Sequence, residues 1–167
     1  MSLILSDDKY LGIFQGSLLD KVSIEGIVGK DFKNREYMLG LGYVNNRPVI
    51  MKYHDFGDFN ELYLIGKGVG SIKSVLAENG FIWDADGWYR NDVEILSVIR
   101  DLDVKFLDVK IDDEVSFEID ENTSRFIDIL GEISKKLGFE VDKMLSKIKN
   151  DVKLLSDVQR FNHLSPV

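Results

Sequence analysis

The residues with the clearest capacity for chemistry lie in Gly66-Lys67-Gly68-Val69-Gly70-Ser71, where three glycines surround a lysine just ahead of an apolar stretch. Leu62 to Ile65 reads as a strand entering this loop, and the residues after Ser71 read as a helix ending at Gly80. Backbone N–H groups at a helix start, with the helix dipole behind them and Lys67 beside them, are a means of holding phosphate. Asp84, at the end of the next apparent strand, stands where a dinucleotide-binding fold carries the acid that takes the ribose hydroxyls. Gly66, Lys67, Gly68, Gly70, Ser71 and Asp84 are therefore the candidate anion or nucleotide site. The pattern is incomplete. Ser71 stands in place of a third motif glycine, and Lys67 precedes Gly68 instead of following the last glycine as in a Walker loop.

A second candidate overlaps the first. Asp86-Gly87 is a favourable turn pair, Trp83 and Trp88 can stack across the resulting hairpin, and Lys73 and Arg90 can face a phosphate. Lys73, Trp83, Trp88 and Arg90 form the candidate nucleic-acid stacking surface. Ser71 to Arg90, with its short helix, Gly-aromatic turn, Trp, acidic turn and Trp-Tyr, resembles small modules appended to prokaryotic DNA-handling proteins such as exonucleases and primases. That resemblance covers under an eighth of the chain and implies a nucleic-acid-associated role for the segment. Two facts oppose it. Large aromatics more often close a core than stack on bases, and a net charge of −8 repels phosphate backbones at long range.

No catalytic residue is assigned. Asp55 with Asp58, Asp84 with Asp86, and Asp112-Asp113-Glu114 offer oxygen ligands, but none has the spacing of a calcium loop, and aspartate is an ordinary turn residue. His54 and His163 are the only imidazoles and there is no cysteine, which removes thiolate catalysis, disulfides and thiolate metal sites. His54-Asp55-Phe56-Gly57 shares letters with a kinase metal motif, without the catalytic loop such an enzyme needs. The expectation is a non-enzymatic interaction or regulatory protein without cofactors. The alternatives are a nucleic-acid-associated module and a nucleotide-binding protein.

The elements that would position these residues follow from periodicity. At 167 residues, with 44% hydrophobic and 30% charged, the chain can bury one substantial core. From Tyr10 to Ile119 apolar residues alternate at period two between Gly and Asn punctuation, the mark of antiparallel strands. Asn45-Asn46, between Tyr37–Val44 and Pro48–Tyr53, predicts a two-residue hairpin turn. A second hairpin is expected from Val104, Phe106, Val109 and Ile111 to Val115, Phe117 and Ile119, and a second short helix from about Asp92 to Asp101. After Glu121 the period becomes helical. Asn122 or Thr123 can cap a helix carrying Phe126, Leu130, Ile133 and Leu137 on one face, with Gly138 as its C-cap.

The last helix carries Val141, Leu145, Ile148, Val152 and Leu155 at seam spacing, which more often closes an intramolecular helical hairpin and otherwise offers an interface with another protein or a second copy. The predicted fold class is α+β: a mostly antiparallel sheet, OB-like in part, with two short helices over residues 1–120, then a C-terminal helical hairpin over 121–167. Leu3 to Leu5 is too short for a secretory signal, and no apolar run reaches membrane-spanning length. A cytoplasmic location is expected, without membrane contact.

Overall fold

The computed structural model describes residues 11–30, 35–84, 87–91, 95–107, 109–111, 115–117 and 120–137. Strands β1 (Leu11–Leu18), β2 (Val22–Lys30), β3 (Glu36–Val44), β4 (Arg47–Asp55) and β5 (Asn60–Ile65) follow one another as antiparallel neighbours. The chain then leaves the sheet through a 3₁₀ segment, Lys67–Ile72, and helix α1 (Lys73–Glu78). It returns as a hairpin, β6 (Ile82–Asp84) and β7 (Gly87–Asn91), with β7 laid against β5. A 3₁₀ turn at Ile95–Val98 leads to β8 (Ile99–Phe106), which pairs with β1 at the far side. The sheet order is β6-β7-β5-β4-β3-β2-β1-β8. A separate two-stranded ribbon, β9 (Val109–Ile111) and β10 (Val115–Phe117), precedes helix α2 (Glu121–Leu137).

Two hairpin turns set the register of the meander. Asn45 and Asn46 take φ 51° and 65° between the paired Val44 and Arg47, the left-handed geometry that asparagine tolerates. Leu19 and Asp20 do the same between β1 and β2, at φ 53° and 58°. A leucine there costs roughly 1 kcal/mol of backbone strain. Its side chain lies in the core and its N–H donates to the Val98 carbonyl at 2.8 Å, and both contacts hold it in place.

The strands bury both faces. On the inner face Phe14, Met51 and Leu64 share one cross-strand row with Gly26 and Gly40. A Cβ at Gly26 would collide with the Leu39 carbonyl oxygen and the Phe14 ring, and one at Gly40 would meet Phe14 Cζ at 3.0 Å. Bare backbone at both positions lets the Phe14 ring lie over β2 and β3. On the outer face Leu11, Ile13, Ile27, Leu41 and Ile50 meet Phe126, Ile129, Leu130 and Ile133 of α2. Arg125 adds an ion pair to Glu25 at 3.0 Å, worth only a few tenths of a kcal/mol because both groups are solvated.

Several expectations are corrected. Among the described residues there is no C-terminal helical hairpin. The apolar stripe of α2 is taken up by the sheet instead of by a second helix, and residues 138–167, with Gly138 and the seam Val141 to Leu155, lie outside the described residues. Asp120 caps α2: its Oδ1 accepts the Thr123 N–H at 2.9 Å, and a carboxylate at a helix start also meets the positive end of the dipole. The second short helix is reduced to Ile95–Val98. Ile95, Val98 and Ile99 mimic helical spacing, but from Ile99 onward pairing with β1 fixes a strand. Val104 and Phe106 therefore belong to β8; among the described residues Val109–Ile111 and Val115–Phe117 form the second hairpin, and Ile119 lies outside them. The OB-like order is also absent, since spatial neighbours from β1 to β5 follow chain order where an OB-fold has a Greek key.

Two outcomes follow. Gly26→Ala should cost about 3 kcal/mol by overpacking, whereas Gly57→Ala, at φ 88° with no atom near its absent Cβ, should cost about 1 kcal/mol. Urea unfolding midpoints compare them, and the reverse order would refute the packing account. Burial, then the charges of Asp55 and Glu36, push the Tyr53 phenol far above its ordinary value. Its folded-state pKa is the higher one, so its contribution is complete below the unfolded value near pH 10 and is lost as pH rises beyond it. Wild-type stability should therefore decline above about pH 10 more steeply than that of Tyr53→Phe, as urea titrations at several pH values would show.

Candidate functional site

The glycine loop is built for packing. Gly66 stands at φ 106°, and a Cβ on it would strike the Pro48 carbonyl oxygen. A Cβ on Gly68 would meet the Arg47 carbonyl oxygen at 2.6 Å and Val49 Cγ2 at 2.7 Å. These glycines let the loop press against the start of β4. Gly70, by contrast, has open space, with only Lys73 Cε near, at 3.9 Å. The Val69 N–H donates to the Gly66 carbonyl at 3.2 Å, and Val69 and Ile72 anchor the segment in the core. Gly66, Lys67, Gly68, Gly70 and Ser71 are thus neighbours in one packed turn ahead of a six-residue helix. Asp84 is engaged elsewhere: its Oδ2 accepts the Tyr63 hydroxyl at 3.3 Å.

Past this turn, α1 ends as the sequence predicts. Gly80 takes φ 81°, the Phe81 N–H donates to Leu76 O and the Gly80 N–H to Ala77 O, and Phe81 packs into the core, which together make a Schellman cap. Arg90 closes the same corner. Its Nη1 donates to Asn79 O at 3.0 Å and its guanidinium lies 6.0 Å from the Phe81 ring centroid, so its charge serves the helix C-terminus. Lys73 is exposed at the start of α1.

Register then separates the two tryptophans by environment. Trp83 pairs with Trp88, their ring centroids 5.9 Å apart at 67°, an edge-to-face contact. Trp88 packs against the inner core, where its indole N–H is buried without a hydrogen-bond partner among the described residues. Trp83 is 59% exposed and its neighbour Ile82 is 61% exposed. Ile82 pairs with Tyr89 on the outer face. There Tyr63 and Tyr89 stack at 4.6 Å, and the Tyr89 hydroxyl donates to Glu61 Oε1 at 3.4 Å. Partial burial first, then Asp84, raises the Tyr63 phenol; partial burial and then Glu61 raise that of Tyr89.

The structure therefore unites Trp83, Trp88 and Asp84 in one hairpin, gives Arg90 a structural duty, sets the glycine loop against the start of β4 and turns Asp84 to the Tyr63 hydroxyl. Ile82, Tyr63, Tyr89 and Glu61 complete the surface. Alternation along β5 sets Tyr63 opposite Leu62 and Leu64, but its partner Tyr89 emerges only once β7 is placed beside β5. Among the described residues no three His, Cys, Asp or Glu side chains converge on a metal position, and no helix is long and apolar enough to cross a membrane.

Trp83→Ala should change stability by under about 1 kcal/mol, and Trp88→Ala should cost about 3 kcal/mol or more. In proteins retaining one tryptophan, acrylamide should quench Trp83 far more than Trp88; equal quenching would contradict this placement. Compared with protein-family models, curated proteins and solved structures, the chain matches none.

Proposed function

We propose that this is a non-enzymatic interaction protein that holds another polypeptide through the β6 edge of its sheet. The supporting observation is the contrast between its two edges. An edge strand presents unpaired N–H and C=O groups, and proteins usually protect such edges with charge or bulges. The β8 edge follows that rule: Arg100, Asp101, Asp103 and Lys105 are exposed, and a register shift opposite Gln15–Ser17, with Asp101 at φ 54°, interrupts its pairing with β1. The β6 edge instead exposes Ile82 on the outer face and Trp83 on the inner face. Other exposed large side chains are engaged locally. Tyr43 lies beneath the Lys136 ammonium at 5.9 Å, and Phe59 stacks on Phe56 at 5.1 Å.

An exposed tryptophan on a rigid strand gives large contact area at little entropic cost, the property that makes tryptophan common at binding hot spots. The nucleic-acid reading draws on the same ring but has less support: Arg90 is tied to Asn79 and the net charge is −8. The nucleotide reading is weakened by the packing role of Gly66 and Gly68. A cytoplasmic site of action belongs to the same proposal.

Peptide display against the wild-type protein, with Trp83→Ala and Ile82→Ser as counter-targets, tests the reading. Peptides that bind the wild type at micromolar concentration and lose about tenfold or more on either variant are expected. Selected peptides indifferent to both substitutions would overturn it. So would single-stranded DNA quenching Trp83 where no peptide does, which would transfer the site to nucleic acid.

A further inference from the structure

Resting on the reading of β6 as a recognition edge, we infer that the partner is an extended segment of another protein, alternating basic and apolar residues, which adds to β6 as a further antiparallel strand. In an antiparallel ladder half of each edge strand's N–H and C=O groups point away from its neighbour, so β6 can pair on the side that no described strand covers. Side chains of an added strand then fall alternately on the two sheet faces.

On the outer face they meet Ile82 and Asp84, with Tyr63 and Tyr89 behind them. On the inner face they meet Trp83. Asp84 is exposed, and Glu61 lies on the same outer face beside Tyr89. The nearest described cation on this hairpin, Arg90, is committed to Asn79 and Phe81. In an alternating segment the lysines or arginines fall on the outer face, one opposite Asp84 as a charge partner and the next opposite Ile82, where its methylene stem covers exposed surface, and the apolar side chain between them meets the Trp83 ring. A second copy suits the edge poorly. Antiparallel self-pairing centred on Trp83 would set each Asp84 against the other copy's Ile82 and bring together two chains of charge −8.

Three synthetic peptides of about eight residues test this on the full chain: alternating lysine and valine, alternating glutamate and valine, and the lysine peptide N-methylated at every second amide. Tryptophan fluorescence reads affinity, and amide hydrogen exchange reads Ile82 to Asp84. The lysine peptide should bind about tenfold more tightly than either other peptide and slow exchange within β6, and Asp84→Lys should remove its advantage. Equal binding of the acidic and basic peptides, undiminished binding of the methylated peptide, or no binding by any of the three overturns the inference. Dimerisation of the wild type that Trp83→Ala abolishes also overturns it, in favour of a second copy. If the peptides bind without charge or backbone preference yet still depend on Trp83, this inference fails and the interaction reading stands; if Trp83 and Ile82 do not matter, both fail.

Discussion

Phe14 sits where the meander is most crowded, and the absence of side chains at Gly26 and Gly40 makes room for it. Its ring projects across two neighbouring strands, so β1, β2 and β3 share one inner core instead of forming three separate strand pairs. The row continues through Met51 and Leu64 to Trp88, which carries the same packing to the β6–β7 hairpin. The inner face is filled by the sheet's own side chains together with Val69, Ile72, Leu76 and Phe81 of the segment between β5 and β6, and the outer face takes α2. The burial of Phe126 and Ile133 there depends on the placement of Ile13 and Ile27, and so on the same β1–β2 register that sets Phe14 against Gly26.

The hairpin that carries the proposed interface is held from three sides. Phe81 anchors its approach, Arg90 ties β7 to the end of α1, and the Tyr63–Tyr89 stack with its carboxylate partners fastens β7 to β5. Exposed Ile82 and Trp83 are therefore mounted on a supported strand. Little ordering remains to be done when a partner arrives, which is the condition under which a small contact binds usefully.

Much of this was legible locally. Asn45-Asn46, the Gly80 cap, the cross-strand tryptophans and the apolar stripe of α2 are each written in a few consecutive residues. What was hidden depends on residues far apart. The Leu19-Asp20 turn carries no turn signal at its leucine, because the core and the Val98 carbonyl hold it. The start of β8, Ile99 to Asp101, reads as helix until β1 is beside it. The division between half-buried Trp88 and exposed Trp83 depends on which strand lies at the edge, and that is a property of sheet order. The glycines of the 66–70 loop were the least decisive signal, since a glycine needed for close packing and one needed for a phosphate look alike in sequence.

The pairing of β8 with β1 sets a timetable for folding. Strands β1 to β5 each pair with the next in sequence across short links, so their ladder can zip from either two-residue hairpin on short loop closures. The β1–β8 ladder, which joins Gly12 to Phe106 and Leu18 to Ile99, must wait for the glycine loop, α1 and the β6–β7 hairpin to be threaded between them. Long closures are slow. Until this one occurs, the side of β1 that β8 will cover stays open, and the charged, bulged β8 seals it last.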